Sequence, residues 1–387
     1  KERLGVHLLI KYVLVREVNK YTKFPVLKDI HLTDNFSEII EDESLDIIVE
    51  VMGGITPAKE YIFSALEHGL SVVSANKDLV ASHGQELLEC AAEHNCDFLF
   101  EAAVAGGIPI IRPLHSSLTA DEIDEISGIL NGTTNYILDQ MIRKGKTFET
   151  ALKDSQNNGF AERNPAADIE GHDACRKIAI LASLASGKMI DYNDIDTDGI
   201  TDITLDDVKY AAAMDSVIKL IGYAQFDENG KVYSIVSPMV IKNSSPLAGV
   251  DGVFNAIMVT GDCVGDVMFY GKGAGKLPTA SAVVADVVDA LKNGAQVHDS
   301  LFWQPADPVD GMLTDPAPAA YYVRAAGVAP AVVEAIYGRG RVVDEHFDGC
   351  SYLVEQADAK AMAEAARKVE TVGGSVKLVL KKLPEEA

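Results

Sequence analysis

Over the first 115 residues, apolar and polar positions alternate between two periods. Four short β-branched runs read as strands: "IKYVLVREV" (10–18), "LDIIVEVMGG" (45–54), "SVVSANK" (71–77) and "CDFLFEAAVAGG" (96–107). Between them, "TPAKEYIFSALEHG" and "HGQELLECAAEHN" place apolar residues three and four apart, the spacing of one helix face. Such alternation predicts an α/β domain, a parallel sheet covered by helices, in which ligands bind past the carboxyl ends of the strands. Those ends carry Gly53-Gly54, Asn76-Lys77, and Glu101 before a small-residue turn. Glycines there admit close approach of a ligand to backbone, and they also make ordinary turns.

The pattern changes over residues 116–270. An acidic run before residue 128 is helix-like, "TFETALKDSQNNG" and "DACRKIAILASLASG" read as helices, and "SIVSPMVIK" and "VFNAIMVTGD" read as strands. A second α/β domain with a more mixed sheet follows from this order. Next, "GKGAGKLPTASAVVADVVDALKNG" is a glycine-rich loop and a helix, with Thr279 and Ser281 near its start. We expect residues 271–295 to complete the first domain. Residues 296–316, rich in Pro and Asp and holding the one tryptophan, read as a linker. Residues 317–387 spell strand, helix, strand, strand, helix, strand, the order of a ferredoxin-like module.

With 387 residues, the chain exceeds what one core usually holds. Its 34 basic and 58 acidic residues give a net charge of −24, which argues against nucleic acid and anionic membrane surfaces as partners. No apolar run reaches a membrane-spanning length of about 18 residues, and the first residues do not read as a signal peptide, so the cytoplasm is expected. Five cysteines without metal-ligand spacing read as reduced, buried or semi-buried thiols.

Candidate chemistry is concentrated in "NNGFAERNPAADIEGHDACRKIAILA" (157–182). Glu162, Asp168, Asp173 and Lys177 gather before and inside an apolar helix. Asp173 and Lys177 are four apart and share a face, either as a solvated surface pair or as a partly desolvated acid–ammonium pair able to move a proton. Neighbouring Ala174, Ile178, Ala179 and Leu181 favour the partly desolvated pair. His172 reads as a surface residue or one that supports the site from behind. A second polar cluster stands in "GILNGTTNYILDQM" (128–141), where Asn131, Gly132 and Thr133 lie between apolar residues. It reads as a capped helix start whose N–H and hydroxyl donors suit an anion.

In this order and at plausible spacing, "VEVMGG", "SANKDLVA", "EAAVAGGIPI", "GILNGTTNYIL", "GFAERNPAADIEGHDACRK" and "FYGKGAGKLPTA" resemble homoserine dehydrogenase over about residues 10 to 295. The resemblance implies a Rossmann-type domain (1–115), a substrate and dimerisation domain (116–270) and a C-terminal ACT-like regulatory domain (317–387). Its activity would be reversible hydride transfer between NADP or NAD and the aspartate 4-semialdehyde/homoserine pair, within threonine and methionine biosynthesis. It implies Lys177 as proton donor, Asp173 as its orienting partner, and Lys77 at the junction of cofactor and substrate. Glu162, Asp168, Asn131, Gly132 and Thr133 would hold the substrate. Arg16, Gly53, Lys77, Gly273 and Gly275 would touch the cofactor, with Arg16 favouring NADP. A sodium-like ion would take the Glu101 side chain and the carbonyls of Val104, Gly106 and Ile108. A homodimer or higher homo-oligomer is implied, with threonine as possible effector.

Two features depart from that family's pattern. No G-x-G-x-x-G follows a first strand, so the Rossmann domain reads as lacking its opening β-turn-α, and the chain as N-terminally incomplete. In the C-terminal module, "AAGVAPAVVEA" lacks an Asp-x-x-Gly-like turn, which leaves threonine binding open. The rival readings are a catalytically impaired homologue acting as an amino-acid sensor or scaffold, and a related dehydrogenase for another amino acid. Threonine binding without nucleotide binding would favour the sensor.

Overall fold

The structure, a computed structural model, describes residues 7–293, 303–305, 318–346 and 349–384. In the N-terminal part the expected strands form, but they are short. Tyr12–Leu14 pairs in parallel with His31–Thr33, a strand the pattern did not predict. Ile47–Glu50, Ser71–Ser74 and Phe98–Leu99 make a separate parallel sheet in that order. Helices Ala58–Glu67 and Lys77–Glu93 bury Ile62, Ala65, Leu66, Leu79, Leu87, Leu88 and Ala91 in the core that holds Val72 and Phe98. Each such leucine contributes about 2 kcal/mol on burial. Asn76 stops the preceding strand and caps the second helix, its side chain accepting from the Leu79 N–H at 3.3 Å. Helix Lys276–Asn293 packs on strands Ile47–Glu50 and Ser71–Ser74 although more than two hundred residues separate it from them.

A third sheet runs Gly265–Lys272, Phe254–Gly261, Ile123–Ile129, Ser216–Phe226 and Val232–Lys242, antiparallel across these strands. Here the expected acidic helix before residue 128 is overturned: Ile123–Ile129 is a strand. Inserted between two neighbours, it gains ladder hydrogen bonds on both edges and buries Ile126 and Ile129 on opposite faces, a tertiary gain that outweighs local propensity. One face of the sheet, with Leu220, Val236 and Ile257, packs against helices Gly132–Lys144, His172–Ser186 and Leu205–Ala213. The other face forms a smaller cluster around Ile221, Tyr223, Met239 and Met258.

The C-terminal order is the expected one: Ala319–Ala326, Pro330–Tyr337, Gly340–His346, Gly349–Ala357, Ala359–Thr371 and Ser375–Lys382. Its strands are antiparallel, with the first strand between the third and the last, as a ferredoxin-like module requires. The module has its own core of Val323, Val333, Tyr352, Val354 and Met362. It is also continuous with the preceding domain, because Lys381 and Lys382 pair in parallel with Met239 and Val240. Asp207, fully buried, joins the two. Its Oδ2 accepts from Thr204 N at 2.8 Å and Thr204 Oγ1 at 2.6 Å, while Oδ1 accepts from Tyr322 Oη at 3.0 Å. Arg324 Nε lies 2.9 Å from the same oxygen, an ion pair without hydrogen-bond alignment.

Most of the expected linker, residues 296–316, lies outside the described residues, but the piece that is described is anchored. Trp303 is 1% exposed and meets Phe100 edge-on at 5.8 Å. Gly84, inside helix Lys77–Glu93, is needed for this: a Cβ there would come within 2.3 Å of the indole. Gln304 bonds to Gly187 and Met189 through backbone. The five cysteines are free thiols, four buried and Cys263 exposed. Among the described residues, no helix is long and apolar enough to cross a membrane.

Candidate active site

Two helix starts and one helix cap meet between the first and second domains. Lys77 opens the helix after strand Ser71–Ser74, and Asp173 and Lys177 occupy the first turns of His172–Ser186, which packs against it. Lys177 donates to Asp173 Oδ2 at 2.6 Å and to the Leu130 carbonyl at 2.8 Å. Lys77 approaches Asp173 Oδ1 at 3.4 Å. The side chains of Asp173 and Lys177 are each 11% exposed, so this is a partly desolvated pair and not a solvated surface one. Burial alone would push the Asp173 carboxyl up, but Lys177, Lys77 and the Asn131 amide together hold it below the usual carboxylate range.

Asn131 precedes helix Gly132–Lys144 and caps it, Oδ1 accepting from Thr134 N at 2.9 Å. Its Nδ2 donates to Asp168 Oδ1 at 2.7 Å and to Asp173 Oδ2 at 2.9 Å. Burial pushes the Asp168 carboxyl up, and the Asn131 bond works in the opposite direction. Both amide protons of Asn131, expected at the substrate, are thus committed to the two carboxylates. The Thr133 hydroxyl is also committed, to the Phe160 carbonyl at 3.0 Å. What remains is backbone: no acceptor among the described residues takes the N–H of Gly132 or Thr133, so the helix start still presents donors to an anion. Gly132 itself is required by packing, since a Cβ would lie 2.7 Å from the Val253 carbonyl.

Glu162 is not part of this cluster. It is exposed, and among the described residues only its carbonyl is bonded, to Gln156 at 3.1 Å. His172 is exposed and pairs with Glu170 at 3.3 Å, as a surface residue would. The Leu130 carbonyl is a partner that no side-chain motif could announce.

At the strand ends, Gly53 and Gly54 adopt left-handed φ of 74° and 72° with open space where a Cβ would project. Buried Glu50 pins this loop by accepting from Met52 N at 2.6 Å, and Asn76 donates to the Gly54 carbonyl at 2.6 Å. A held, open, side-chain-free loop past a parallel strand fits a dinucleotide. Gly275 has a φ of 120°, whereas Gly273 is glycine for packing, a Cβ there falling 2.3 Å from the Asn255 amide. Arg16 is exposed beyond strand Tyr12–Leu14 and makes no ion pair among the described residues.

Among the expected cation ligands, the Glu101 side chain is engaged by backbone. The buried Glu101 carboxylate accepts three backbone N–H groups, from Ile110 at 2.7 Å and from Ile111 and Arg112 at 2.9 Å, capping the segment that follows. The three backbone positions behave differently. Val104, Gly106 and Ile108 are buried, and no donor among the described residues reaches their carbonyls. Unpartnered buried carbonyls suit a hard monovalent ion.

A parallel-sheet nucleotide domain bordering a lysine–aspartate cleft is the arrangement of a nicotinamide-dependent oxidoreductase. Residues 2–101 match the family model described as the homoserine dehydrogenase NAD-binding domain, and residues 109–288 match that of homoserine dehydrogenase. The chain belongs to the homoserine dehydrogenase family. It is 44% identical over 291 residues to homoserine dehydrogenase of Bacillus subtilis, an alignment covering 75% of this chain and 67% of that one. The chain therefore spans about two thirds of that relative's length. A homoserine dehydrogenase crystal structure from Thiobacillus denitrificans superposes with a TM-score of 0.87 at 36% identity, covering 96% of this chain and 89% of that one. A hyperthermophilic archaeal homoserine dehydrogenase in complex with NADPH superposes at 0.59 with 30% identity, covering 68% of this chain and 76% of that one.

Proposed function

We propose that this chain interconverts aspartate 4-semialdehyde and homoserine with NADPH or NADH, and that the Asp173–Lys177 pair performs the proton transfer. The carrying observation is the ammonium of Lys177, held by one carboxylate and one carbonyl in a mostly buried cleft. When bound, the nicotinamide supplies or takes up the hydride. Negative charge grows on the aldehyde oxygen during reduction, and an ammonium fixed beside it both stabilises that charge and gives up its proton. Asp173 orients the ammonium and Lys77 shares the carboxylate. Asp168 is the acid best placed to take the substrate's ammonium or hydroxyl, and the free N–H groups of Gly132 and Thr133 suit its carboxylate. Glu162 would join only by moving toward the bound substrate.

The loop at Gly53 and the turn at Gly275 would lie along the cofactor, and Arg16 would meet a ribose 2′-phosphate, favouring NADP. A sodium-like ion would rest on the carbonyls of Val104, Gly106 and Ile108. By family resemblance, the chain works in the cytoplasm as a homodimer or higher homo-oligomer, and its C-terminal module is an ACT-like domain with threonine as candidate effector.

Aspartate-semialdehyde-dependent oxidation of NADPH tests the reading. Lys177→Ala is expected to lower the rate by roughly a hundredfold or more. A variant within a factor of a few of the parent would remove Lys177 from its role.

A further inference from the structure

We infer that Asn131 is a positioning residue, an amide bridge that fixes Asp168 and Asp173 relative to each other and whose polarity is dictated by the helix it caps. This rests on the dehydrogenase reading above. Terminal amides are ordinarily ambiguous, because oxygen and nitrogen look alike and both orientations fit. Here the ambiguity is removed from both ends. The helix start presents the Thr134 N–H at 2.9 Å, which needs an acceptor, so Oδ1 must face it. On the other side, Asp168 Oδ1 at 2.7 Å and Asp173 Oδ2 at 2.9 Å need donors, so Nδ2 must face them. A flipped amide would be repelled at all three contacts. Asn131 is 6% exposed, so water cannot readily substitute for it.

The bridge separates the two acids in function. Asp173 Oδ2 receives Lys177 as well as the amide, and its Oδ1 faces Lys77, so Asp173 is held as an anion that serves the lysines. Asp168, on the short helix Ala166–Ile169, takes the amide at 2.7 Å as its main donor, with a lesser contribution from the Thr133 hydroxyl. The groups that face it are Asp173 and Lys177 from the neighbouring helix and Thr133 from the capped helix. Without the amide, Asp168 would confront the Asp173 anion with only the weaker contact of Thr133, whose hydroxyl is already given to the Phe160 carbonyl. It would then retain a proton just where a substrate ammonium or hydroxyl needs an acceptor. Both amide hydrogens are used, so Asn131 acts through the acids and not by touching substrate.

Two variants of the full chain separate bridge from cap. Asn131→Ser keeps a good capping oxygen and removes the amide donors. Asn131→Asp is nearly isosteric, also caps, and turns a carboxylate toward the other two. The readouts are turnover with NADPH and aspartate semialdehyde across pH, and the carboxyl carbon-13 titration of Asp168, assigned with Asp168→Asn. For Asn131→Ser we expect the Asp168 titration to move upward, because the amide that lowers it is gone. We expect kcat to fall roughly 10- to 100-fold with a smaller change in KM, and the acid limb of the pH profile to move upward with the titration. Asn131→Asp should lose more. Parent-like titration in both variants overturns the bridge, and so does a fall in turnover without any titration change. If the parent chain shows no turnover while Asp168 still moves in Asn131→Ser, the bridge stands and the dehydrogenase reading fails.

Discussion

Lys77, from the nucleotide-binding half, stands 3.4 Å from Asp173 in the following domain, so one ion pair spans the boundary where the chemistry is proposed to occur. Lys177 meets the other oxygen of the same carboxylate at 2.6 Å. Two cations sharing one buried anion make Asp173 the charge on which the cleft depends.

Asp173→Asn should therefore reduce kcat by roughly 10²- to 10⁴-fold, measured as NADPH oxidation. The same substitution has a stability signature. The folded carboxyl titrates below the usual aspartate range, so the unfolded chain takes up the proton first as pH falls. Its stabilisation is whole above the ordinary aspartate value and is lost as pH drops through the lower, folded one. Urea midpoints should consequently fall less steeply in acid for Asp173→Asn than for the parent.

Lys219 predicts a pH dependence at the alkaline end. It is 1% exposed, bonded to the Asn135 amide oxygen at 3.0 Å and the Val250 carbonyl at 2.6 Å. Burial pushes it down to about 8 from the ordinary lysine value of 10.5. Below the folded value both states are protonated and the native state carries the whole penalty, about 3 kcal/mol. Between the two values the unfolded state binds more protons, so stability from this group rises with pH. Denaturation midpoints of Lys219→Met, set against the parent through that window, should lack this rise.

Trp303 should behave as a core residue despite its Pro- and Asp-rich surroundings. Trp303→Ala is expected to cost about 3–5 kcal/mol by thermal or urea unfolding. Gly84→Ala pushes a methyl into the same indole and should cost about 1–3 kcal/mol. Because both act at one contact, the double variant should fall short of the sum of the two losses.

At the joint with the C-terminal module, Asp207→Ala removes the reciprocal half of the capping box that Thr204 begins and leaves Arg324 and Tyr322 facing a buried gap. A loss of about 3–5 kcal/mol is expected. Limited proteolysis should then release the C-terminal module sooner than in the parent, whereas Tyr322→Phe, which loses one hydrogen bond, should be mild.

The sequence by itself determined much of the local architecture. The alternation of strand and helix periods placed the N-terminal parallel strands, and the strand–helix order gave the C-terminal module, because each of those segments has a pattern satisfied by its neighbours in the chain. The Asp173–Lys177 pair was legible because helix spacing alone puts the two on one face. Tertiary structure decided the rest. Ile123–Ile129 is a strand because two distant strands flank it, and Trp303 is core because Gly84 leaves room for its ring. The commitment of Asn131 to two acids and of Glu101 to three N–H groups depends on chain segments that meet only on folding. Hydrogen-bond satisfaction is a property of the assembled interior, so residue type names the candidates and packing decides which of them still have a free donor or acceptor.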